Sequence, residues 1–173
     1  MLNRKQAGDT IVEVLIALAI LGSAFGISYA TANKGLIQAR NAEEHSQALE
    51  YLDKQMELLH LAAGNDDAKT NGIFTMNAKA FCLKPTIPAD NTKPVTVVPF
   101  TSGWVPDNKQ VDQDLQNADS NYPADCIQSG PPYYLSITYT KGSNDDVFKV
   151  LVRWNGIGTL GAQQESLSYK LHP

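Results

Sequence analysis

Residues 14–32 read VLIALAILGSAFGISYATA, nineteen consecutive residues without a charge in a chain of 173. At a rise of 1.5 Å per residue they form roughly 28 Å of helix, about the thickness of the hydrocarbon core of a bilayer. Arg4 and Lys5 precede the run, so the positive-inside rule places the N-terminus in the cytoplasm and everything after Ala32 outside. The stretch therefore predicts a single-pass membrane helix near the N-terminus.

Three simpler interpretations of this segment compete with any more specific one. Ala30-Thr31-Ala32 resembles the small-residue cleavage site of a secretory signal peptide, after which the mature chain would begin at Asn33. A permanent membrane anchor explains the length of the run but leaves the acidic residue near its start, Glu13, without a role. A buried core helix is the third, and a run this long and apolar behind a basic N-terminus argues against it.

Glu13 is the one charged residue between Ile11 and Ala32. A carboxylate inside an apolar membrane helix costs roughly 2.5–3.5 kcal/mol on insertion scales, so such a residue normally has a partner. Cleavage after Gly8 would create a new α-amino group at Asp9, four residues before Glu13. In a helical stack of copies that amine can pair with the Glu13 carboxylate of a neighbour. The pair would neutralise both charges and fix the register between subunits.

The stretch from Lys5 to Leu21, KQAGDTIVEVLIALAIL, resembles the class III signal of type IV pilins and pseudopilins. The resemblance implies cleavage by a prepilin peptidase after Gly8 and methylation of the new N-terminal residue, Asp9. The family's glutamate at the fifth mature position corresponds to Glu13, and its frequent threonine at the second position corresponds to Thr10. The apolar run is more similar to minor pilins and minor pseudopilins than to many major subunits.

Two positions depart from the family pattern. Asp9 stands where the family usually has phenylalanine, and it adds a second carboxylate beside the amine that would pair with Glu13. Ala30 stands where many major pilins have a helix-kinking proline, which favours a straighter helix. Gly22 and Gly26, four residues apart, have the small-residue spacing that lets membrane helices approach closely.

After Ala32 the apolar pattern becomes amphipathic without a break. Its predicted apolar stripe consists of His45, Leu49, Leu52, Met56 and Leu59, with the acidic residues, Glu44 among them, largely on the other side. Gly64 ends the helix, which is therefore expected to run from about Thr10 to Ala63, roughly 80 Å. A coiled coil is the alternative for the second half.

The rest of the chain reads as strands and loops. The predicted strands are Ile73–Met76, Val95–Val98 at an edge or outside the sheet, Tyr133–Thr140, Val147–Trp154 and Glu165–Leu171. The last three form an antiparallel meander. The predicted fold is α+β, a long N-terminal α-helix packed by its second half against a C-terminal antiparallel β-sheet head, which agrees with the pilin fold that the resemblance implies. The expected segments are a leader, 1–8; a filament-core helix, 9–32; its amphipathic continuation, 33–64; and the head, 65–173.

Cysteine usage and charge exclude several functions. Cys82 and Cys126 are the only cysteines and are expected to form one disulfide in an exported head, two unpaired thiols being the alternative. With 14 Lys and Arg against 18 Asp and Glu, the chain has no basic face for DNA. The sequence contains no phosphate loop, nucleophile elbow or zinc spacing, so neither an enzyme nor a bound cofactor or metal is expected.

The resemblance implies a filament subunit, a pilin or minor pilin supporting adhesion, motility or DNA uptake. Its partners would be a prepilin peptidase, the cytoplasmic membrane before assembly, other pilin subunits afterwards, and a surface ligand if the head is adhesive. It would lie in the cytoplasmic membrane with its head outside and then in an extracellular pilus. The alternatives are a pseudopilin of a type II secretion or competence system and a membrane-anchored surface-binding module.

Overall fold

The computed structural model describes residues 9–64, 72–76, 79–86, 95–100, 104–106, 115, 121–129, 131–142, 145–157 and 161–171. Helix α1 (Asp9–Ala63) is continuous over 55 residues. The chain divides into two compact units, Met1–Asn41 and Ala42–Pro173, and α1 belongs to both. At its end the Gly64 N–H donates to the His60 carbonyl at 3.1 Å, which confirms the predicted stop.

The second unit contains one antiparallel sheet of six strands in the order β2-β1-β4-β5-β6, with β3 paired to β4. Two single 3₁₀ turns, Ile73–Thr75 and Ala124–Cys126, lie outside it. The strands are β1 (Ala80–Pro85), β2 (Val95–Pro99), β3 (Ile127–Gln128), β4 (Tyr133–Thr140), β5 (Asp146–Asn155) and β6 (Ala162–Leu171). The α+β prediction is confirmed.

The strand predictions are confirmed where alternation was strong. Tyr133–Thr140 is β4, β5 exceeds its prediction by one residue at each end, and β6 begins three residues before Glu165. The Val95 strand is the edge strand β2, as its flanking prolines indicate. The strand predicted at Ile73–Met76 is wrong, because Ile73–Thr75 forms a 3₁₀ turn. Strand β1, which carries Cys82, was not predicted.

In the second unit α1 packs on one face of the sheet, and the predicted stripe is partly wrong. Leu52 and Leu59 are buried and Met56 half-buried, but His45 and Leu49 are exposed. The buried face of the helix consists of Glu44, Ala48, Leu52, Gln55, Leu59 and Ala62. Glu44 and Gln55 are thus buried in place of His45 and Leu49. Each of the two polar side chains forms hydrogen bonds with a specific group on the sheet.

Aromatic side chains fill both faces of the sheet. On the helix face Tyr133 lies 5.2 Å from Tyr51 of α1 and 5.8 Å from Trp154 of β5, measured between ring centroids. Alternation along β4 turns the next residue, Tyr134, to the other face, where its ring lies 5.1 Å from that of Tyr122. The core is therefore two-sided, with the sheet in its middle.

Candidate functional site

The surface whose chemistry bears most directly on function is the first half of α1, where apolar side chains face outward all round the helix. Eleven large apolar residues between Ile11 and Tyr29 are each 54–77% exposed. Fully burying one such side chain is worth about 1.5–3 kcal/mol. Because roughly three fifths of each side chain is exposed, burying the surface of all eleven is worth on the order of 10–20 kcal/mol. This is comparable to the whole stability of an ordinary domain. The helix is long and apolar enough to cross a membrane.

The serine hydroxyls and the Thr31 hydroxyl of this segment are satisfied within the helix itself. Ser23 donates to the Ile20 carbonyl, and Ser28 donates to the Ala24 carbonyl, each at 2.8 Å. Thr31 donates to the carbonyl four residues before it, also at 2.8 Å. Such back-bonding leaves no hydroxyl hydrogen exposed to an apolar environment. These polar residues are therefore compatible with lipid and need no partner.

Glu13 differs from these hydroxyl residues. Its side chain is exposed on the helix, and none of the described residues forms a hydrogen bond or an ion pair with it. Ala17, Ile20 and Ala24 follow Glu13 on the same side of the helix. The carboxylate of Glu13 is therefore free for a group from another molecule.

Gly22 and Gly26 lie on the opposite side of the helix from Glu13. Nine residues separate Glu13 from Gly22, which is two and a half turns. A Cβ atom built on either glycine meets no atom within 4 Å, so nothing in this chain requires glycine at these positions. The predicted assembly residues are thus not brought together on one face, and they suit contacts with neighbours on two sides.

The remaining residues predicted from the sequence fall at the start of the helix and in the head. Gly8 lies outside the described residues, and Asp9 and Thr10 are the first helical residues that the structure describes. Cys82 and Cys126 are disulfide-bonded with a Cα–Cα distance of 5.7 Å, which confirms the predicted pair. The bond links β1 to the turn before β3.

A groove of about 270 Å³ opens beside this disulfide, where β1 separates from β4. The two strands pair only at Ala80 and Phe81, and beyond them the Gln55 amide takes the place of a strand partner. Gln55 Nε2 donates to the Leu83 carbonyl at 2.9 Å, and the Leu83 N–H donates to Gln55 Oε1 at 3.0 Å. At the rim Lys84 Nζ lies 2.7 Å from Asp125 Oδ1. Both lysines that line the groove are therefore paired, Lys84 with Asp125 and Lys54 with Glu50.

Glu44 holds α1 on the sheet through hydrogen bonds. The sequence pattern did not predict this role. Glu44 Oε2 accepts hydrogen bonds from Trp154 Nε1 at 3.3 Å and from the Ile157 N–H at 3.4 Å. The Tyr133 hydroxyl lies 3.2 Å from the Glu44 carbonyl. Burial, followed by the negative charge of Glu44, raises the pKa of Tyr133 to about 12. A glutamate before an amphipathic run carries no signal that distinguishes this role from a solvated one.

The two aspartates at the start of β5, Asp145 and Asp146, both have partners within the head. Asp146 Oδ1 accepts a hydrogen bond from the Tyr139 hydroxyl at 2.8 Å, and Asp145 Oδ2 lies 3.7 Å from Lys170 Nζ. Burial, followed by the bond to Asp146, raises the pKa of Tyr139 to about 12. Within the described residues no three metal-ligating side chains cluster.

Comparisons of the chain with family models, with curated proteins and with solved structures found no match. The chemistry of the site must therefore come from its own residues. An unburied apolar helix with one unpaired carboxylate can insert into a bilayer, and it can pack against other helices of the same kind. In the head, the hydrogen bonds of Glu44 to β5 and of Gln55 to β1 hold the helix on the sheet.

Proposed function

We propose that this chain is a structural subunit of a type IV pilus-like filament, processed after Gly8 and assembled through the first half of α1. The single observation that carries the proposal is the apolar surface of this segment with Glu13 unpaired on it. Lipid covers such a surface before assembly, and the helices of neighbouring subunits cover it afterwards. In the filament the α-amino group of a neighbour supplies the partner that Glu13 lacks.

The two-sided arrangement of the helix favours a filament over a simple dimer. A dimer interface uses one face of each helix, whereas Glu13 and Gly22 lie on opposite sides. A helix in a bundle has neighbours all round, so both faces have a use. A membrane anchor requires neither feature, because lipid covers every face alike.

The proposal is tested by mass spectrometry of the N-terminus from native cells. The expected mature chain begins at Asp9 and is one methyl group heavier if the new amine is modified. A chain beginning at Asn33 would identify a secreted domain, and an intact Met1 terminus would identify a permanent anchor. Either result overturns the proposal. Abundance of the chain in filaments outside the cell then distinguishes a pilin from a pseudopilin.

Two substitutions separate processing from assembly. Gly8→Leu is expected to block cleavage, because a side chain at this position does not fit a narrow protease site. Glu13→Ala is expected to leave insertion intact and to reduce incorporation into filaments at least tenfold. Glu43→Ala is the matched control, since Glu43 is an exposed carboxylate on the same helix. Filaments unaffected by both Gly8→Leu and Glu13→Ala would contradict the proposal.

A further inference from the structure

Within the residues that the structure describes, strand β6 pairs with β5 alone, so it forms an edge of the sheet. The Gly156 N–H donates to the Gly161 carbonyl at 2.9 Å, which makes this a hydrogen-bonded pair just beyond the β5–β6 ladder. Hydrogen-bonded pairs alternate along an antiparallel ladder, so the odd-numbered residues of β6 bond to β5. The N–H and C=O groups that point away from the sheet therefore belong to Gln164, Ser166, Ser168 and Lys170.

This edge lacks the devices that usually protect an exposed strand. Ten consecutive residues of β6 pair with β5 one to one, without a bulge or a proline. The two charged residues of the strand are engaged within their own head: Glu165 Oε1 lies 3.4 Å from His45 Nε2, and Lys170 Nζ lies 3.7 Å from Asp145 Oδ2. The opposite edge, β2, is only five residues long and ends at Pro99.

A second copy of β6 fits this edge. In an antiparallel pair about a two-fold axis, residues directly opposite each other point to the same face of the sheet. Centring the axis on Leu167, which is 38% exposed, places the two leucines opposite each other and opposes no like charges. The other pairs are Ser166 with Ser168, Gln164 with Lys170, and Glu165 with Tyr169. All four outward residues of each strand then form both of their backbone hydrogen bonds, eight bonds in total.

Neighbouring registers are less favourable. Centring the axis on Ser166 places the carboxylate of Glu165 opposite the apolar side chain of Leu167. Centring it on Glu165 or on Lys170 opposes like charges directly, which is destabilising. Of these four registers, the one centred on Leu167 is the one that opposes neither like charges nor a carboxylate and an apolar side chain.

The helices leave room for this pairing. Helix α1 contacts Tyr133 of β4 and Trp154 of β5, and its two histidines reach Glu165 and Tyr169 of β6, so the helix is centred near β5. Three strand spacings of about 4.8 Å separate β5 from its copy in a pair joined through β6, so the two helices lie about 14 Å apart. Packed helices approach to 8–10 Å, so the two copies do not clash.

We infer that the β6 edge is a homotypic docking surface, where a second copy of this chain adds its own β6 antiparallel about Leu167. The two-fold axis reverses the direction of the helix segment 42–63, so the two helices run in opposite directions. If the proposed function holds, this contact joins heads of two filaments that run in opposite directions, and it does not join neighbours within one filament. The pairing itself does not rest on the filament proposal.

Cysteine cross-linking in the full chain, held in detergent micelles under mild oxidation, tests the register. Leu167 and its copy form a non-hydrogen-bonded pair with Cα atoms about 4.5 Å apart, within the range of a disulfide. Leu167→Cys is therefore expected to give a disulfide-linked dimer. Ser168→Cys is the control, since residue 168 and its copy are diagonal neighbours at about 7–8 Å. Cross-linking of Ser168→Cys instead, or of neither variant, overturns the inference.

A charge substitution tests the same surface without a cysteine. Leu167→Lys places two ammonium groups opposite each other and is expected to weaken dimerisation at least tenfold in analytical ultracentrifugation. Leu49→Lys is the matched control, because Leu49 is 42% exposed on the helix and outside the paired strand. Equal dimerisation of the Leu167→Lys and wild-type chains contradicts the inference. The N-terminus of each variant is sequenced in parallel, so failure of this inference is separate from failure of prepilin processing.

Discussion

Replacing Gln55 by methionine is expected to destabilise the head by about 2–5 kcal/mol. The Gln55 side chain is 5% exposed, and its two hydrogen bonds hold the N–H and C=O of Leu83, which is 2% exposed. Methionine preserves the length and volume of the side chain but offers neither bond. Each of the two buried backbone groups then loses its partner, at about 1–3 kcal/mol per group. This is a large share of the 5–15 kcal/mol that stabilises an ordinary domain.

The measurement is urea unfolding of the full chain in micelles, followed by tryptophan fluorescence. The Gln55→Met midpoint should fall while the slope with urea stays unchanged, because the surface exposed on unfolding is the same. Glu57→Met, an exposed position two residues on in α1, controls for the new side chain. If Gln55→Met unfolds at the wild-type midpoint, the Leu83 groups have other partners and the reasoning about the strand gap is wrong.

Three further predictions concern the head. Replacing Cys82 and Cys126 by serine should lower the free energy of unfolding by about 4 kcal/mol, since the bond spans 44 residues, and equal urea midpoints would contradict this. The pKa of Tyr139 is raised from 10.0 to about 12, so its contribution is complete below pH 10 and is lost as the pH rises towards 12. Tyr139→Phe should therefore reduce the fall in urea midpoint between pH 9 and pH 11.5, and an unchanged fall would refute it. Glu44→Leu removes the acceptor of Trp154 Nε1 and should cost about 1–3 kcal/mol in the same assay.

The elements predictable from the sequence are those with a strong local pattern. Nineteen uncharged residues in a row leave few structures other than a long helix. Strands β4 and β5 alternate and are separated by a polar turn, which defines a hairpin. The two cysteines could be paired because the sequence contains no others.

The errors arise where a distant residue decides the outcome. A sequence pattern assigns glutamate to solvent, and the burial of Glu44 depends on the indole of Trp154, 110 residues away. The predicted apolar stripe therefore contains His45, the exposed neighbour of Glu44, instead of Glu44 itself. Strand β1 has no local signal, because its residues before Lys84 are all buried and do not alternate with polar ones. Its extended form depends on β2, on the C-terminal half of β4 and on Gln55.

The exposed helix carries information that its hydropathy alone does not. Lipid alone would satisfy the apolar residues from Ile11 to Tyr29, and the hydroxyls of Ser23, Ser28 and Thr31 already bond within the helix. Lipid does not satisfy the carboxylate of Glu13, and it gives no reason for glycine at 22 and 26, where a larger side chain would meet nothing in this chain. In an isolated membrane helix Glu13 is unfavourable, and the two glycines are neutral. All three become favourable only when other helices pack against this one. The helix is thus suited first to a bilayer and then to a bundle of helices. Removing the Glu13 side chain should impair assembly into the bundle and leave membrane insertion intact.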